Sequence, residues 1–323
     1  MKRCVKISLL LFCILGLSGC TQSPLATLTT SENTPAVNIN THLVISTDFG
    51  KNIIFDEELE ITWGTNTLEV LEGNVDFTTA YGGGFLTSIE GIKSGFLKQP
   101  IEREDWFLYI NGILSNVGGL SYNIQEGDVI HWYYRDWGFR EAVSAIISDF
   151  PAALEFGYGG KNVPTTIWYE DGWKDEAKQL QKSLTTSGVS EVIIRNSSDI
   201  STRETENNHL IIIGPSSFQP INEVNQNWDR LGIFCKFNSD GLEIYSEAGN
   251  LSGTYTSGAG VIFALQNPFN PKGTGACENI CIVVTGTDDI SIMLAVETLS
   301  NNSQSLKYYA GATIIDGNIK PLP

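Results

Sequence analysis

Two rhythms of apolar residues predict an α+β part followed by an α/β part. Between residues 42 and 140, short runs with a period of two are separated by glycine-rich turns, the pattern of half-buried strands. From about residue 160, apolar runs alternate with stretches of helical period, the pattern of strands joined by helices.

In the first part, residues 43–46 read as a strand, residues 67–71 within 60–73 as a short helix, and residues 75–81 as a second strand. Gly82, Gly83 and Gly84 interrupt, and 85–89 resume the alternation before a turn at Glu90-Gly91. Residues 106–110 lead into Asn111-Gly112, a hairpin signal because both residues tolerate positive φ. A last strand, 129–134, follows the turn at 126–128. One short helix with four or five strands predicts a small β-grasp-like sheet over residues 42–140.

In the second part, residues 165–169 read as a strand, and Trp173, Ala177, Leu180 and Leu184 share one face of a helix that stops at Gly188. Residues 192–195, 210–213 and 280–285 are apolar runs of the kind buried on both faces of a parallel sheet. Helices are expected at 220–231, 260–265 and 290–299, and residues 242–245 and 312–315 complete the sheet at an edge. The sum is a three-layer α/β sandwich over residues 160–323.

Ahead of both parts, Lys2, Arg3 and Lys6 border an apolar run through Leu9, Leu10, Leu11, Phe12, Ile14 and Leu15. Such a run describes a secretory signal and is too short for a bilayer span. Its ending, Leu17-Ser18-Gly19-Cys20, resembles the lipobox of bacterial lipoproteins. The resemblance implies a signal peptide over 1–19, lipidation of Cys20 by a diacylglycerol thioether and an amide-linked acyl chain such as palmitate, and an anchor on the extracytoplasmic face of the cell membrane. Residues 20–41, rich in Thr, Ser, Asn and Pro, have too little apolar content to offset ordering entropy and read as a flexible tether.

The chain carries 20 basic and 37 acidic side chains, a formal −17, which becomes −20 once the three cations of residues 1–19 are removed. Without a basic cluster to neutralise phosphates, nucleic-acid binding is excluded and membrane attachment must come from acyl chains. Past Cys20 the thiols are Cys235, Cys277 and Cys281, which permit one disulfide. A Cys277–Cys281 loop bridge, a bridge from Cys235 to either, and free buried thiols all remain open. A metal site is not expected, since His42, His131 and His209 are scattered and the cysteine spacing lacks a second pair.

No phosphate-binding glycine loop, nucleophile elbow or zinc-protease motif is present, so no catalytic residue and no cofactor is assigned and the chain reads as a binder rather than an enzyme. In an open α/β sheet, ligands bind beyond the carboxyl ends of the strands. Those ends carry Ser216, Ser217, Asp288 and Asp289, with Ser257-Gly258-Ala259-Gly260 entering another element. Ordinary turn and cap chemistry, with Asp289 capping the last helix, accounts for them; an extracytoplasmic hydrolase is the alternative use.

The first part carries a more specific pattern. Residues 85–92 (FLTSIEGI), 105–112 (DWFLYING) and 127–132 (GDVIHW) resemble the C-terminal β domain of the cobalamin carriers transcobalamin and intrinsic factor over roughly residues 43–137. That resemblance implies a cobalamin-like, corrinoid ligand lying on Phe85 and Leu86 and on Leu114 and Ser115, with Gly82–Gly84 allowing close backbone approach. It implies transport, with an uptake transporter as partner. The helical barrel that covers the ligand in those carriers has no counterpart, so the α/β part or a partner protein must form the opposite jaw. Trp106 is expected in the core, and His131 as a half-exposed strand residue rather than a cobalt ligand. A surface adhesion or cell-wall interaction module, binding protein or glycan through the same aromatics, is the other reading.

Overall fold

In the computed structural model, which describes residues 37–323, β1 (Asn38–Thr47) runs antiparallel to β2 (Asn52–Thr62). β1 therefore begins inside the segment read as a tether. Its first residues are polar, but Ile39 and Thr41 alternate inward while Asn38 and Asn40 reach Glu60 and Glu126. β2 escaped the sequence pattern because its second half is an acidic run; as a half-exposed edge strand it carries that charge outward, which blunts the edge against further pairing.

The helix expected at 67–71 is a single 3₁₀ turn, Glu69–Leu71, whose first amides bond the Asn66 side chain before Gly73 ends it at φ 82°. A small antiparallel sheet follows, of β3 (Phe77–Ala80), β4 (Phe85–Ile89) and β5 (Ile92–Lys93). β6 (Glu104–Ile110) and β7 (Ile113–Leu114) form the hairpin at Asn111-Gly112, with φ of 53° and 79°. A Cβ on Gly112 would stand 2.8 Å from the Ile146 carbonyl oxygen, so the turn needs glycine for space as well as for φ. β8 (Val129–Asp136) lies parallel to β1 and antiparallel to β6, giving the sheet order β2-β1-β8-β6-β7.

The second half opens with α1 (Ala152–Phe156), β9 (Thr165–Tyr169), α2 (Lys174–Thr186) and β10 (Val192–Asn196). α3 (Thr202–Asn207), started by a capping box between Ser201 and Glu204, leads to β11 (His209–Ile213) and α4 (Gln219–Gln226). β12 (Cys235–Asn238), β13 (Gly241–Tyr245) and β14 (Leu251–Tyr255) make a separate antiparallel sheet, so residues 242–245 do not extend the main one. β15 (Ala259–Gln266), β16 (Ile280–Gly286), α5 (Asp289–Asn301), β17 (Gly311–Ile315) and β18 (Asn318–Leu322) complete the chain.

The main sheet has the order β10-β9-β11-β16-β15-β17-β18; its first four strands are parallel, and β15, β17 and β18 are antiparallel. Residues 260–265, expected as a helix, are thus a fully buried strand, a confusion built into short apolar runs. Gly260 is the reason α5 packs there: a Cβ at this position would meet the Ser291 carbonyl oxygen at 2.5 Å.

Alternation along the strands sends Ile167, Ile211, Ile282 and Val284 to one face, under α2 and α5. Trp168, Leu210, Ile212 and Val283 go to the other, where they meet Ile221 and Val224 of α4, Leu242 of β13, and Phe49, Tyr109 and Tyr133 from the first half. The first sheet has its own core of Leu43, Ile45, Leu108, Ile110 and Trp132, and its second face is the one that joins the other half. The described residues accordingly form one compact unit of mixed sheets with few helices, an α+β class.

Cys235, Cys277 and Cys281 are free and buried, so of the alternatives left open the free thiols are the one present. Cys277 and Cys281 belong to cores on opposite faces of the main sheet, which keeps the nearest pair in sequence apart. Cys20, the signal peptide 1–19 and residues 20–36 of the tether lie outside the described residues. Among the described residues no helix is long and apolar enough to cross a membrane.

Candidate functional site

The β3–β4 connection lifts apolar side chains off the first half. Tyr81 sits at φ 53°, followed by Gly82 and Gly83 at 69° and 90°; this run of left-handed residues turns the chain back within one 3₁₀ turn. Tyr81 ends 86% exposed, and Phe85, 37% exposed, packs edge-on against Phe96 with ring centroids 5.3 Å apart. Leu120 closes the far side: a Cβ on Gly83 would be 2.9 Å from its Cδ1. Tyr81, Phe85, Phe96, Val117 and Leu120 are all exposed large apolar residues.

The platform beneath is pinned. Leu86 and Ile89 are buried in the first core, and Thr78 Oγ1 bonds the hydroxyls of Thr87 (2.8 Å) and Ser88 (2.6 Å) across the hairpin. Trp106, buried as expected, donates its indole N–H to the Ile92 carbonyl at 3.0 Å and packs at a 53° tilt, ring centroids 5.0 Å apart, against Tyr134, whose hydroxyl donates to the Lys93 carbonyl at 2.8 Å. Burial, then the neighbouring Glu104 carboxylate, push the Tyr134 hydroxyl up to about 12, which keeps it a donor.

Of the four residues carried from the carrier resemblance, Phe85 alone reaches this surface. Leu86 points into the core. Leu114 is half-buried at the seam between the halves, its carbonyl accepting from Gln266 Nε2 at 3.1 Å and from Cys277 Sγ at 3.2 Å. Ser115 Oγ bonds the Tyr158 hydroxyl at 2.8 Å and the Val117 carbonyl at 2.9 Å. Beside these two opens a cavity of about 540 Å³ lined by Tyr158, Lys161, Asn207, Lys272, Cys277 and Glu278. The segment from Leu114 to Leu120 thus runs from the seam cavity to the exposed patch, and its later residues do the reaching. Tyr81, Phe96, Val117 and Leu120 were missed; a tyrosine before three glycines was the one visible sign.

The strand ends are occupied by structural bonds. Asp288, rather than Asp289, caps α5, accepting from the Ser291 amide at 2.9 Å and the Gly258 amide at 2.6 Å. The Gly258 amide bond, more than offsetting slight burial, holds the Asp288 carboxyl down at about 2. The histidines are committed too. His209 is buried between Asn162 Oδ1 and the Ile280 amide, and burial brings its imidazole down to about 3.

His131 is fully buried rather than half-exposed, because its strand face is covered by the second half. Its Nε2 lies 2.8 Å from Ser46 Oγ and its Nδ1 3.2 Å from Asp149 Oδ1. The connectivity is that of a hydrolytic triad, but Ser46 and His131 have no exposed surface and the arrangement ties β1 and β8 to the connector between the halves. Among the described residues no group of three His, Cys, Asp or Glu is placed to hold a metal ion.

Residues 64–136 match the family model described as Domain of unknown function (DUF4430). The match covers the patch and the strands that support it. Among solved structures, the chain is similar to haptocorrin in complex with Cbi, at 15% identity and a TM-score of 0.27, over 32% of this chain and 26% of that one. It is also similar to a putative metal binding protein from Ruminococcus gnavus, at 15% identity and a TM-score of 0.24, over 30% of this chain and 97% of that one. The chain thus spans about a quarter of the length of haptocorrin. Superpositions of this quality do not extend to ligand or chemistry. No curated protein matches the chain.

Proposed function

We propose that the protein is a ligand-binding lipoprotein, anchored through Cys20 on the outer face of the cell membrane, that holds a molecule with a broad apolar face for uptake. The observation that carries the binding reading is the exposed patch of Tyr81, Phe85, Phe96, Val117 and Leu120 on a pinned platform. Exposed apolar surface of this kind marks an interaction site, and rigid aromatics contribute area at small ordering cost.

Exposure sets how much each residue can contribute. Phe85 offers about a third of the roughly 150–250 Å² of an aromatic side chain, about 1–2 kcal/mol at ~25 cal/mol/Å². Tyr81, almost fully exposed, offers about 3–5 kcal/mol by the same arithmetic, so it is the leading contact. A corrinoid, an apolar macrocycle rimmed by amides, is the class of ligand this surface is proposed to hold. Leu114 and Ser115 would then contribute through the seam, with the second half as the opposite jaw and a membrane transporter as the receiving partner. The protein performs no reaction in this reading.

Equilibrium dialysis against cyanocobalamin tests it. Retention of the pigment with an absorbance shift, reduced by Phe85→Ala and more strongly by Tyr81→Ala, is the expected outcome. Free passage of the pigment together with capture of a glycan or protein through the same aromatics would instead make the patch an adhesive surface.

A further inference from the structure

The loop that carries Val117 and Leu120 is held from both halves of the chain. From its own half, the Ser115 amide donates to the Leu108 carbonyl at 2.8 Å, and Thr67 Oγ1 donates to the Gly119 carbonyl at 3.0 Å. From the second half, Tyr158 brings its hydroxyl to 2.8 Å from Ser115 Oγ and 3.3 Å from Asn116 Oδ1, and Asn116 Nδ2 donates to the Gly275 carbonyl at 3.3 Å. Ser115 passes the Tyr158 bond on to Val117: its Oγ donates to the Val117 carbonyl at 2.9 Å and accepts from the Val117 amide at 3.3 Å. With the one Ser115 hydroxyl hydrogen used there, Tyr158 is the donor of the pair, and burial raises its hydroxyl, which keeps that proton in place.

These bonds matter because the loop has little else to hold it. Val117 is 39% and Leu120 44% exposed, so their burial returns little against the entropy of fixing the backbone. Tyr158, by contrast, is fixed independently of the loop. Its amide and carbonyl both bond Lys161, at 3.1 and 3.2 Å, and its ring packs 5.2 Å from Tyr122, whose hydroxyl accepts the Gly159 amide at 3.0 Å. Gly157 makes this turn possible, at φ 69° and with a Cβ position only 1.9 Å from the Lys161 carbonyl oxygen.

We propose that Tyr158 is a positioning residue for the ligand surface: through Ser115 it holds the 115–120 loop in the conformation that presents Val117 and Leu120 beside Phe85. The second half of the chain thereby sets the shape of a surface built on the first. This assignment rests on the reading of that surface as a ligand site, and the positioning itself is measurable without ligand.

Amide hydrogen exchange of the ligand-free full chain, with Tyr158→Phe, is the first arm of the test. The expected result is exchange at the Val117 amide at least about tenfold faster, with the melting temperature within a degree or two of wild type and exchange in the main sheet unchanged. The second arm is cyanocobalamin affinity in Tyr158→Phe, Ser115→Ala and the double variant. Each single change should weaken binding about three- to tenfold, and the double variant should be no weaker than either, because both remove the same bond. Unchanged exchange at Val117, or faster exchange everywhere with a lowered melting temperature, overturns the proposal. So do additive losses, which two separate ligand contacts would give. Should wild type not bind the pigment at all, the corrinoid reading fails while the exchange arm decides the positioning by itself.

Discussion

Replacing Asp56 by Asn should weaken the joint between the two halves by an amount that the structure sets. Asp56 lies on the edge strand β2 and collects Lys307 Nζ at 2.7 Å, His42 Nε2 at 2.5 Å and the Tyr308 hydroxyl, two of them from the far end of the chain. Burial pushes its carboxyl up, but the hydrogen bonds from Lys307, Tyr308 and His42 outweigh that and hold it at about 2, against an ordinary 3.8. At 1.36 kcal/mol per unit, the difference corresponds to about 2.4 kcal/mol. The side chain is 21% exposed, so solvent screening brings the expectation to about 1–2 kcal/mol.

A depressed carboxyl stabilises the fold above its unfolded value and loses that contribution as pH falls through the folded one. Urea unfolding should therefore show Asp56→Asn less stable than wild type by about 1–2 kcal/mol at pH 7, with about half that gap left at pH 3. Equal stability at pH 7, or a gap that does not change between pH 7 and pH 3, would refute the reasoning.

Other consequences follow from packing. Gly260→Val should lower stability by about 3 kcal/mol or abolish folding, because the Ser291 carbonyl would be pressed by the new side chain; the check is the urea midpoint. Burial pushes the Cys235 thiol up to about 12 and raises Cys277 and Cys281 as well. A thiol reagent at pH 8 should thus leave all three unlabelled in the folded chain and label all three in denaturant, read by mass spectrometry. Trp106→Ala should cost about 3–5 kcal/mol through the lost core ring and indole bond, whereas Tyr81→Ala should leave the melting temperature within a degree or two, as expected for a side chain that supports a ligand and not the fold.

Local chemistry made much of the fold legible. Residues 165–169 are a strand with the expected limits, and the helix bearing Trp173, Ala177, Leu180 and Leu184 on one face packs that face inward. Asn111-Gly112 turns the hairpin for the reason read from its φ tolerance. What stayed hidden was decided at a distance. Strand β15 was hidden because a buried antiparallel strand and a short buried helix share an apolar run, and pairing with β16 and β17 settles the choice. His131 was misplaced because its burial comes from the other half of the chain. At the candidate site, Phe85 was legible from its place before an alternating strand. Tyr81, Phe96 and Leu120 were not, because their placement rests on the left-handed turn and on a loop nearly forty residues away in sequence.

The central claim is that the Tyr81–Phe85 surface holds a ligand with a broad apolar face, and calorimetry with cyanocobalamin at several temperatures tests it most directly. The account predicts one-to-one binding whose enthalpy becomes more negative on warming, the mark of apolar burial, with affinity reduced about a hundredfold or more by Tyr81→Ala and about tenfold by Phe85→Ala. No heat at any temperature with ligand at millimolar concentration, or binding untouched by both substitutions, would contradict it.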